Sequence, residues 1–448
     1  MLLIFFWRWV RVRILLIITV SFVFGLFRFG MAVDAAHIRI SLDRLNEIHF
    51  EGSVATEPYR YDYRQTVIVE TIEPFHARML LSLPLSPRLL LGDTILFQCP
   101  TIQYNNLKTL CSPRSVEIKL EQHKMDIVRV LGKIKYSYVG SIERWLPSPH
   151  AQLLASILIG ARGGFPRELS QNFAAVGLSH IVAISGSNIT ILIAFLVAFM
   201  RRLPFSQKFR TPILMGGIAF FTLFTGSSAA TVRAAIMGCA LLIASVQGRR
   251  ALGFQLLLGA AFLMVLYDPV ILFNDRGFQL SCAATFGLLS IAPTLTRLFD
   301  RIPVFAGMRD VAIQTIAASL ATLPLIVGYF GQFSLISFFT NLLVVPLVPI
   351  LMAIGFFWSV LAFIASSMPP ALFSFMDPLV HVASILPWAL LDYIISIAKF
   401  FASFPFPALT SASPIRTTII IGIVYAAFFF LFLKVRKKSP LMNTSRML

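Results

Sequence analysis

The sequence GLSHIVAISGSNIT, residues 177–190, decides the fold class of this chain. Its glycines, its hydroxyls and the imidazole of His180 interrupt a region that is otherwise hydrophobic enough for a membrane. Because hydrocarbon does not solvate a bare peptide group or an imidazole, such a segment is tolerated only inside protein or along a watery path. The stretch therefore predicts either a conduit through the membrane or a polar site buried within it.

The composition also indicates a membrane protein. Hydrophobic residues make up 57% of the 448 positions, charged residues only 13%, and there are 42 Phe, more apolar surface than a soluble core needs. The formal net charge of +18 is uneven, because residues 38–146 carry a net of +2 and much of the remainder lies at the ends of apolar segments. The charge thus follows membrane topology and is weak evidence for a nucleic-acid partner.

Residues 1–37 are predicted to form an N-terminal membrane anchor. Arg8, Arg11 and Arg13 precede the apolar run at residues 14–27, and the absence of a clean cleavage site after it favours an uncleaved anchor over a signal peptide. The basic flank then lies in the cytoplasm and the following segment outside.

Residues 38–121 are predicted to form a small extracytoplasmic β domain. Short β-branched runs alternate with turn signals such as Pro84, Pro87 and Gly92, which suggests a five-stranded OB-like barrel. Such barrels often bind single-stranded nucleic acid, and a barrel used only as a spacer is an equally good interpretation. Interleaved aromatic and basic residues are the DNA-binding candidates, with ordinary surface as the alternative: Tyr59, Arg60, Tyr61, Tyr63 and Arg64.

Four cysteines allow one further prediction. If the β domain is extracytoplasmic, Cys99 and Cys111 can close a short loop as a disulfide, provided that their Cα separation allows it. Cys239 and Cys282 fall in apolar runs and are interpreted as small core residues.

The chain beyond residue 121 is predicted to be mainly apolar helix. Residues 122–177 form a linker with interfacial or re-entrant helices too short to span roughly 30 Å of hydrocarbon. Residues 178–433 follow with the spanning candidates, of which residues 335–365 contain the helix breakers Pro346 and Pro349. With the anchor this gives about ten crossings. By the positive-inside rule, the basic clusters place every second end of the spanning segments in the cytoplasm, together with the basic tail at residues 434–448.

Several blocks of this region resemble the ComEC competence family of inner-membrane DNA-uptake channels. The first block joins ILIG at residues 157–160 to GLSH at 177–180 and ISG at 184–186. The later blocks keep the family's order and spacing: TVRAAIM at 231–237, DP at 268–269 with GFQLS at 277–281, ATLP at 321–324, YFGQ at 329–332 and NLLVVP at 341–346. Each block alone is unspecific, but the series in this order, behind an OB-like domain, makes a specific match that covers about residues 40–350.

The resemblance implies a channel that passes one strand of transforming DNA into the cytoplasm, with the OB-like domain handling incoming DNA. The implied partners are single-stranded DNA, the bilayer, a DNA-receptor protein, a separate nuclease, a cytoplasmic ATPase or helicase, and further copies of the chain. The sequence departs from the family where Ser187 and Asn188 stand in place of Leu-His. It also lacks the zinc cluster of the metallo-β-lactamase-like domain and a P-loop, so we expect a short form with no metal, no cofactor and no such nuclease activity.

Seven polar residues are candidates for the DNA path: His180, Ser185, Asn188, Arg233, Gln279, Ser281 and Asn341. The structural alternatives are a bond from His180 to a neighbouring carbonyl and interhelical hydrogen bonding for the amides and hydroxyls. Arg233 is the most informative, because an arginine inside an apolar segment costs several kcal/mol unless it snorkels, pairs or meets water. Its partner would be a phosphate or an internal carboxylate such as Asp268 or Asp275.

Two other function classes remain open at this point. A membrane-embedded enzyme or lipid-handling protein would use His180, Ser185 and Asn188 around one closed pocket. A small-solute transporter would carry inverted repeats, and the sequence has no convincing internal repeat. A DNA path would instead spread basic or amide side chains along a continuous route.

Overall fold

The computed structural model of this chain contains a strand-rich part followed by a helical part. It describes residues 49–55, 58–60, 64–73, 78–84, 86, 89, 92–98, 102–105, 108–111, 113, 116–118, 127–161, 163–204, 206–249, 252–299, 308–404 and 408–410. The predicted anchor at residues 1–37, the predicted tail and the last predicted span lie outside the described residues.

Eight strands form one sheet. They are β1 (His49–Val54), β2 (Tyr59–Arg60), β3 (Arg64–Glu73), β4 (Arg78–Pro84), β5 (Thr94–Gln98), β6 (Ile102–Asn105), β7 (Lys108–Cys111) and β8 (Val116–Ile118). Their order is β6-β7-β4-β3-β1-β5-β8, with β2 paired to β3 beside this path. Among the ladders of the described strands, the pairing of β4 with β7 alone is parallel. No ladder closes β6 onto β8 among the described strands, so the sheet is a half-barrel, and the five-stranded OB-like barrel stays a prediction.

One face of this sheet carries an apolar core because buried and partly exposed side chains alternate along the strands. Ile95 and Phe97 of β5 point inward, and the Phe97 ring stacks on Phe50 of β1 with 5.5 Å between ring centroids. Gly52 allows β1 to pass close to β3, since a Cβ there would lie 2.8 Å from the carbonyl oxygen of Glu70.

The predicted disulfide stays a prediction. Cys111 ends β7, where it pairs with Leu81 of β4 and Ile102 of β6. Its proposed partner, Cys99, lies outside the described residues.

The second part of the chain is helical. Its helices are α1 (Ile127–Trp145), α2 (His150–Ile159), α3 (Arg167–Ala175), α4 (Ser179–Val182), α5 (Gly186–Arg201), α6 (Gln207–Phe224), α7 (Ala229–Val246), α8 (Gly253–Tyr267), α9 (Ile271–Asn274), α10 (Arg276–Ser290), α11 (Ala292–Leu298), α12 (Met308–Phe330), α13 (Ser337–Val344), α14 (Val348–Ser366) and α15 (Pro370–Ala402). Two short strands, β9 (Gln332–Ser334) and β10 (Ala408–Thr410), pair antiparallel.

Within the described residues, five helical runs are long and apolar enough to cross a membrane: Ala229–Val246, Arg276–Leu298, Met308–Phe330, Ser337–Ser366 and Pro370–Ala402. Other apolar helices, such as α5 and α8, are shorter. The predicted class of helical membrane protein with a strand-rich part is therefore supported, and the count of about ten crossings stays a prediction.

Prolines interrupt the regular α-helix within the apolar run Ser337–Ser366. α13 ends at Val344, a 3-10 turn covers Val345–Leu347 and α14 begins at Val348, so the break expected at Pro346 and Pro349 lies within one continuous apolar run. Pro349 lies in the first turn of α14, where the missing N–H costs no helical hydrogen bond.

Two glycines allow close packing between helices of this part of the chain. A Cβ on Gly287 of α10 would lie 2.5 Å from the carbonyl oxygen of Ala317 in α12. A Cβ on Gly238 of α7 would lie 2.5 Å from the side chain of Ile193 in α5. Glycine at these positions lets the helix backbones approach, as in other membrane helix pairs.

Candidate functional site

The segment at residues 177–190 breaks the helical structure. After α3, Gly177 adopts a φ of 76° and turns the chain into the one-turn helix α4. Ser185 is extended, with φ −113° and ψ 165°, and α5 begins at Gly186. The polar interruption in the sequence thus corresponds to the ends of helices. Backbone groups there need hydrogen-bond partners other than the helix itself.

Asn188 supplies one such partner. Its side chain is buried, and its Nδ2 donates to the carbonyl oxygen of Ile157 at 2.9 Å. Its Oδ1 accepts from Ser185 Oγ at 3.0 Å. Ile157 lies in the last turn of α2, so Asn188 joins the end of α2 to the first turn of α5.

His180 and Ser185 have different local partners. His180 Nδ1 lies 3.2 Å from the carbonyl oxygen of Gly177, and the imidazole is exposed. The Oγ atoms of Ser185 and Ser187 are 2.5 Å apart. Within the described part of the chain, no hydrogen bond connects His180 with Ser185 or Asn188. These three residues therefore do not form the hydrogen-bonded constellation that a hydrolytic site would use.

Arg233 lies where α5, α7 and α10 meet. Only 6% of its surface is exposed, although it is the fifth residue of a candidate membrane span. Its Nε donates to Ser281 Oγ of α10 at 2.8 Å, and its Nη1 lies 3.1 Å from Met237 Sδ. Its Nη2 reaches the start of α5 so closely that a Cβ on Gly186 would lie 2.8 Å away.

The carboxylates considered as internal partners of Arg233 are used elsewhere. Asp268 Oδ1 accepts from the backbone N–H of Val270 at 3.0 Å. Asp275 Oδ1 accepts from the backbone N–H of Phe278 at 2.8 Å and thereby caps α10. Among the described residues, no ion pair links Arg233 to either carboxylate.

The surroundings of Arg233 favour an anion. The N-terminus of a helix carries a partial positive charge and backbone N–H groups that lack helical partners. The N-cap of α5, Ser185, gives no side-chain hydrogen bond to this end, and the Arg233 guanidinium points at it. Two positive groups thus face each other, an arrangement that phosphate or carboxylate would stabilise.

Gln279 belongs to a separate contact on α10. Its Nε2 donates to the carbonyl oxygen of Leu272 at 2.7 Å, and its Oε1 accepts from the Tyr329 hydroxyl. The guanidinium of Arg276 lies 5.2 Å from the centroid of the Tyr329 ring. These bonds hold α9, α10 and the end of α12 together, which is the structural interpretation of Gln279.

Asn341 is buried in α13, and none of the residues that the structure describes donates a hydrogen bond to its Oδ1. Its neighbour Thr340 donates to the carbonyl oxygen of Val176 at 2.8 Å, which fastens α13 to the turn after α3. No described contact brings Asn341 to Arg233.

Three of the five nucleic-acid candidates of the β domain lie on β2 and at the start of β3. Tyr59 and Arg60 make up β2, opposite Thr66 and Gln65 of β3. Arg64 begins β3 and is exposed. The other two candidates, Tyr61 and Tyr63, lie outside the described residues.

Comparison with known proteins identifies the family. The family model described as Competence protein matches residues 157–437, more than half of the chain. The chain belongs to the Competence protein family. The family proposed from the sequence blocks is therefore confirmed, and the match includes every helix that contacts Arg233.

Two curated proteins are similar to this Competence family member. ComE operon protein 3 of Bacillus subtilis (strain 168) is 28% identical over 201 residues, which are 45% of this chain and 25% of that protein. Uncharacterized protein YcaI of Escherichia coli (strain K12) is 24% identical over 234 residues, or 48% of this chain and 30% of that protein. The chain thus covers less than a third of the length of either relative. No solved structure matches it.

The sequence predicted some site residues of this Competence family member and missed others. It named Arg233 and Ser281 separately, and the structure joins them; the same holds for Ser185 and Asn188. It included Gly186 only as part of the ISG block at residues 184–186 and did not single out Tyr329. The position of Gly186 beside Ser185, at the start of an apolar helix, was the available signal.

Proposed function

We propose that this chain conducts single-stranded DNA across the cytoplasmic membrane during DNA uptake for transformation. Membership of the Competence family supports a role in DNA uptake. The observation that carries the finer proposal is the buried guanidinium of Arg233, directed at the start of α5 within an apolar bundle.

The physical argument rests on the cost of that charge. A buried guanidinium at membrane depth needs an anion, water or a dense set of acceptors. Among the described residues, the hydrogen bonds of this guanidinium go to one hydroxyl, of Ser281, and one thioether, of Met237, which is little for five N–H donors. A phosphodiester passing beside Gly186 would accept from the guanidinium and from the N–H groups of α5 together, and water in the route would let it leave again.

The distribution of basic residues supports an extracytoplasmic position for this contact. α5, α7 and α10–α11 each end near arginines, namely Arg201, Arg249 and Arg297, which the positive-inside rule assigns to the cytoplasm. Their opposite ends, where Gly186, Arg233 and Ser281 meet, would then face the exterior. In this proposal the strand enters from the side that carries the β domain, which we propose binds incoming DNA through its aromatic and basic residues.

The remaining steps of uptake are assigned to partners. We propose a DNA receptor upstream, a separate nuclease for the second strand and a cytoplasmic ATPase or helicase. The enzyme alternative has no geometric support, since His180 bonds to Gly177 and not to Ser185 or Asn188. No observation favours small-solute transport.

A transformation assay that scores two stages separately tests the proposal. Cells with the gene deleted should bind labelled DNA at the surface as the parent does and should not accumulate labelled strand in the cytoplasm. Plasmid-borne wild-type protein should restore arrival. Loss of surface binding together with arrival would assign the chain to reception, and unchanged arrival would refute the proposal.

A further inference from the structure

His150 and Asp392 form a titratable pair that the proposed function does not yet use. His150 begins α2, and its Nε2 lies 3.1 Å from Asp392 Oδ1 of α15. The imidazole also stacks on the ring of Trp388, one turn before Asp392, with 5.6 Å between ring centroids. The side chain of His150 is 11% exposed and that of Asp392 is 46% exposed. A buried imidazole thus pairs with a carboxylate that contacts the surroundings of the protein.

The second ring nitrogen of His150 is available for a proton. Nδ1 is buried, and none of the described residues forms a hydrogen bond with it. A neutral imidazole carries one hydrogen, which on Nε2 is donated to Asp392 and leaves Nδ1 as a bare acceptor. A proton taken from water onto Nδ1 makes the ring a cation beside an ionised carboxylate. Such a charge-assisted hydrogen bond is stronger than the neutral one, so the protonated pair holds α2 and α15 together more firmly.

The position of Asp392 in α15 favours this protonated pair. Asp392 lies in the apolar run Pro370–Ala402, which is long enough to cross a membrane. Acyl chains do not solvate an ionised carboxylate, so Asp392 needs water or a cation beside it. The imidazolium of His150 supplies that cation, and imidazole is the side chain that gains and loses its charge near neutral pH.

Asp392 is the charged partner of His150 on the helices that contact α2, which are α1, α4, α14 and α15. α14 carries no titratable side chain, and His180 of α4 bonds to Gly177. Asp377 of α15 bonds to Trp145 and lies about 22 Å before Asp392 along the helix at 1.5 Å per residue. None of the described hydrogen bonds or ion pairs joins the pair to the exposed titratable groups nearest to it along α1 and α15, which are Glu143, Arg144, His381, Tyr393 and Lys399.

α2 connects this pair with the start of α5. Nine of the ten residues of α2 are buried. At its far end, Asn188 Nδ2 donates to the carbonyl oxygen of Ile157, and a Cβ on Gly160 would lie 2.8 Å from Ile184 Cδ1. These two contacts lie on either side of Gly186 in the chain. Because a packed interior transmits displacement rather than absorbing it, a shift at the start of α2 reaches the start of α5.

We propose that the His150–Asp392 pair is a proton-binding site that positions, through α2, the start of α5 beside Arg233. With the proton bound, the stronger pair fixes α2 and keeps Gly186 at the guanidinium. Without the proton the pair is weaker, and the anion contact is less well formed. His150 and Asp392 are thus positioning residues, and the inference rests on the proposed function of the Arg233 contact.

A pH titration of a probe at the start of α5 tests this link. Ser187→Cys, in a protein whose native cysteines are replaced by serine, carries an environment-sensitive fluorophore at an exposed position. We expect its emission in the purified protein to change between about pH 5 and 8, where imidazole titrates, and the change to be lost in His150→Gln and in Asp392→Asn. His150→Gln keeps an N–H donor for Asp392 without taking up a proton, and Asp392→Asn keeps the shape without the charge. His180→Ala, which removes an imidazole outside the pair, should keep the parental change.

DNA arrival divided by surface binding is measured in the same variants at two pH values. We expect the parental value to be at least about threefold higher at pH 6 than at pH 8, because a charge-assisted hydrogen bond is roughly twice as strong as a neutral one. The ratio should be close to one in His150→Gln and in Asp392→Asn. Should His150→Gln fail to accumulate, Asp392→Asn makes the comparison at a half-exposed position.

The inference and the proposed function can fail separately. A fluorescence change that persists in both pair variants overturns the inference, as does a lost change that leaves the pH dependence of arrival at its parental value. In either case the proposed function stands if Arg233→Gln still blocks arrival. If Arg233→Gln transports at the parental rate, the proposed role of Arg233 is wrong, and regulation of that contact by His150 and Asp392 is wrong with it.

Discussion

The segment at residues 177–190 and the Arg233 contact both place polar groups in apolar sequence. They differ in the hydrogen-bond partners that these groups find. In the segment, polar side chains pair with each other and with nearby backbone, as Asn188 does with Ile157 and Ser185. At Arg233 the polar group is a full charge whose described partners are a hydroxyl and a thioether. The polar groups of the segment satisfy one another's hydrogen bonds. The Arg233 guanidinium instead keeps N–H donors for a further acceptor.

This difference helps to distinguish polar residues with a structural role from polar residues with a functional role in a membrane protein. Helix breaks in a bilayer require side chains that bond to orphaned carbonyl and N–H groups, so a cluster of Ser, Asn and Gly is explained by the break alone. A buried charge is not explained by a helix break. We therefore assign the proposed functional role to Arg233. The neighbouring segment positions α5, the helix that faces it.

The largest effect is expected for Arg233→Gln. Losing charge-assisted hydrogen bonds worth about 3 kcal/mol should lower cytoplasmic DNA arrival by roughly a hundredfold. Surface DNA binding and membrane accumulation should stay near the parental level, and Arg233→Lys should retain part of the activity. Parental transport by both variants would make Arg233 a structural residue, whereas loss of the folded protein in Arg233→Gln would point to an internal partner.

A smaller effect is expected for Gly186→Ala. Its new methyl group would lie 2.8 Å from Arg233 Nη2 and would push the guanidinium away from the start of α5. Arrival should fall by about tenfold, roughly the 1.4 kcal/mol of one displaced hydrogen bond. In the Arg233→Gln background the same change should cost nothing further. Independent, additive losses would separate Gly186 from the function of Arg233.

Asn188→Ala should act on stability more than on transport. The change leaves the Ile157 carbonyl without its partner inside protein, which costs about 1–3 kcal/mol. The thermal midpoint of the purified protein in detergent should fall, while Thr190→Ala, which removes an exposed hydroxyl bonded to the preceding turn of its own helix, should leave it unchanged. An unchanged midpoint in Asn188→Ala would mean that the joint between α2 and α5 is not held by this amide.

His180→Ala should have the smallest effect, under about twofold in DNA arrival, because its only described contact is the local one to Gly177. Uptake measured across pH 6 to 8, where an unperturbed imidazole titrates, should follow the parental profile. A loss comparable to that of Arg233→Gln would remove the distinction between the two regions.

The sequence predicted the membrane class, the family and the break at residues 177–190, because composition and glycine placement are local signals. It also identified Arg233, since a charge in an apolar run is visible without coordinates. It could not pair Arg233 with Ser281, 48 positions away, because that contact depends on how α7 packs against α10. It offered Asp268 and Asp275 as partners, yet both carboxylates bond to backbone N–H groups close by in sequence, the usual use of aspartate at turns and helix starts.

One further feature could not be predicted from the sequence pattern. Residues 122–177 were predicted to form a linker with interfacial helices, and only the contacts to Ser359 and Asp377 show that one face of α1 is buried. The sequence did predict the break at Pro346 and Pro349, because proline disrupts a helix locally, but not the 3-10 turn that bridges it.

Crosslinking of DNA caught during uptake tests the central claim most directly. Ser281→Cys carrying a photoreactive group places the probe beside the Arg233 guanidinium, and Phe357→Cys places it on an outward face of α14, where the native side chain is 72% exposed. Both variants must first be shown to accumulate and to let DNA arrive. The account predicts DNA crosslinked at position 281 and none at 357. Arrival of DNA in the cytoplasm without any crosslink at 281, or with equal crosslinking at the two positions, would contradict it.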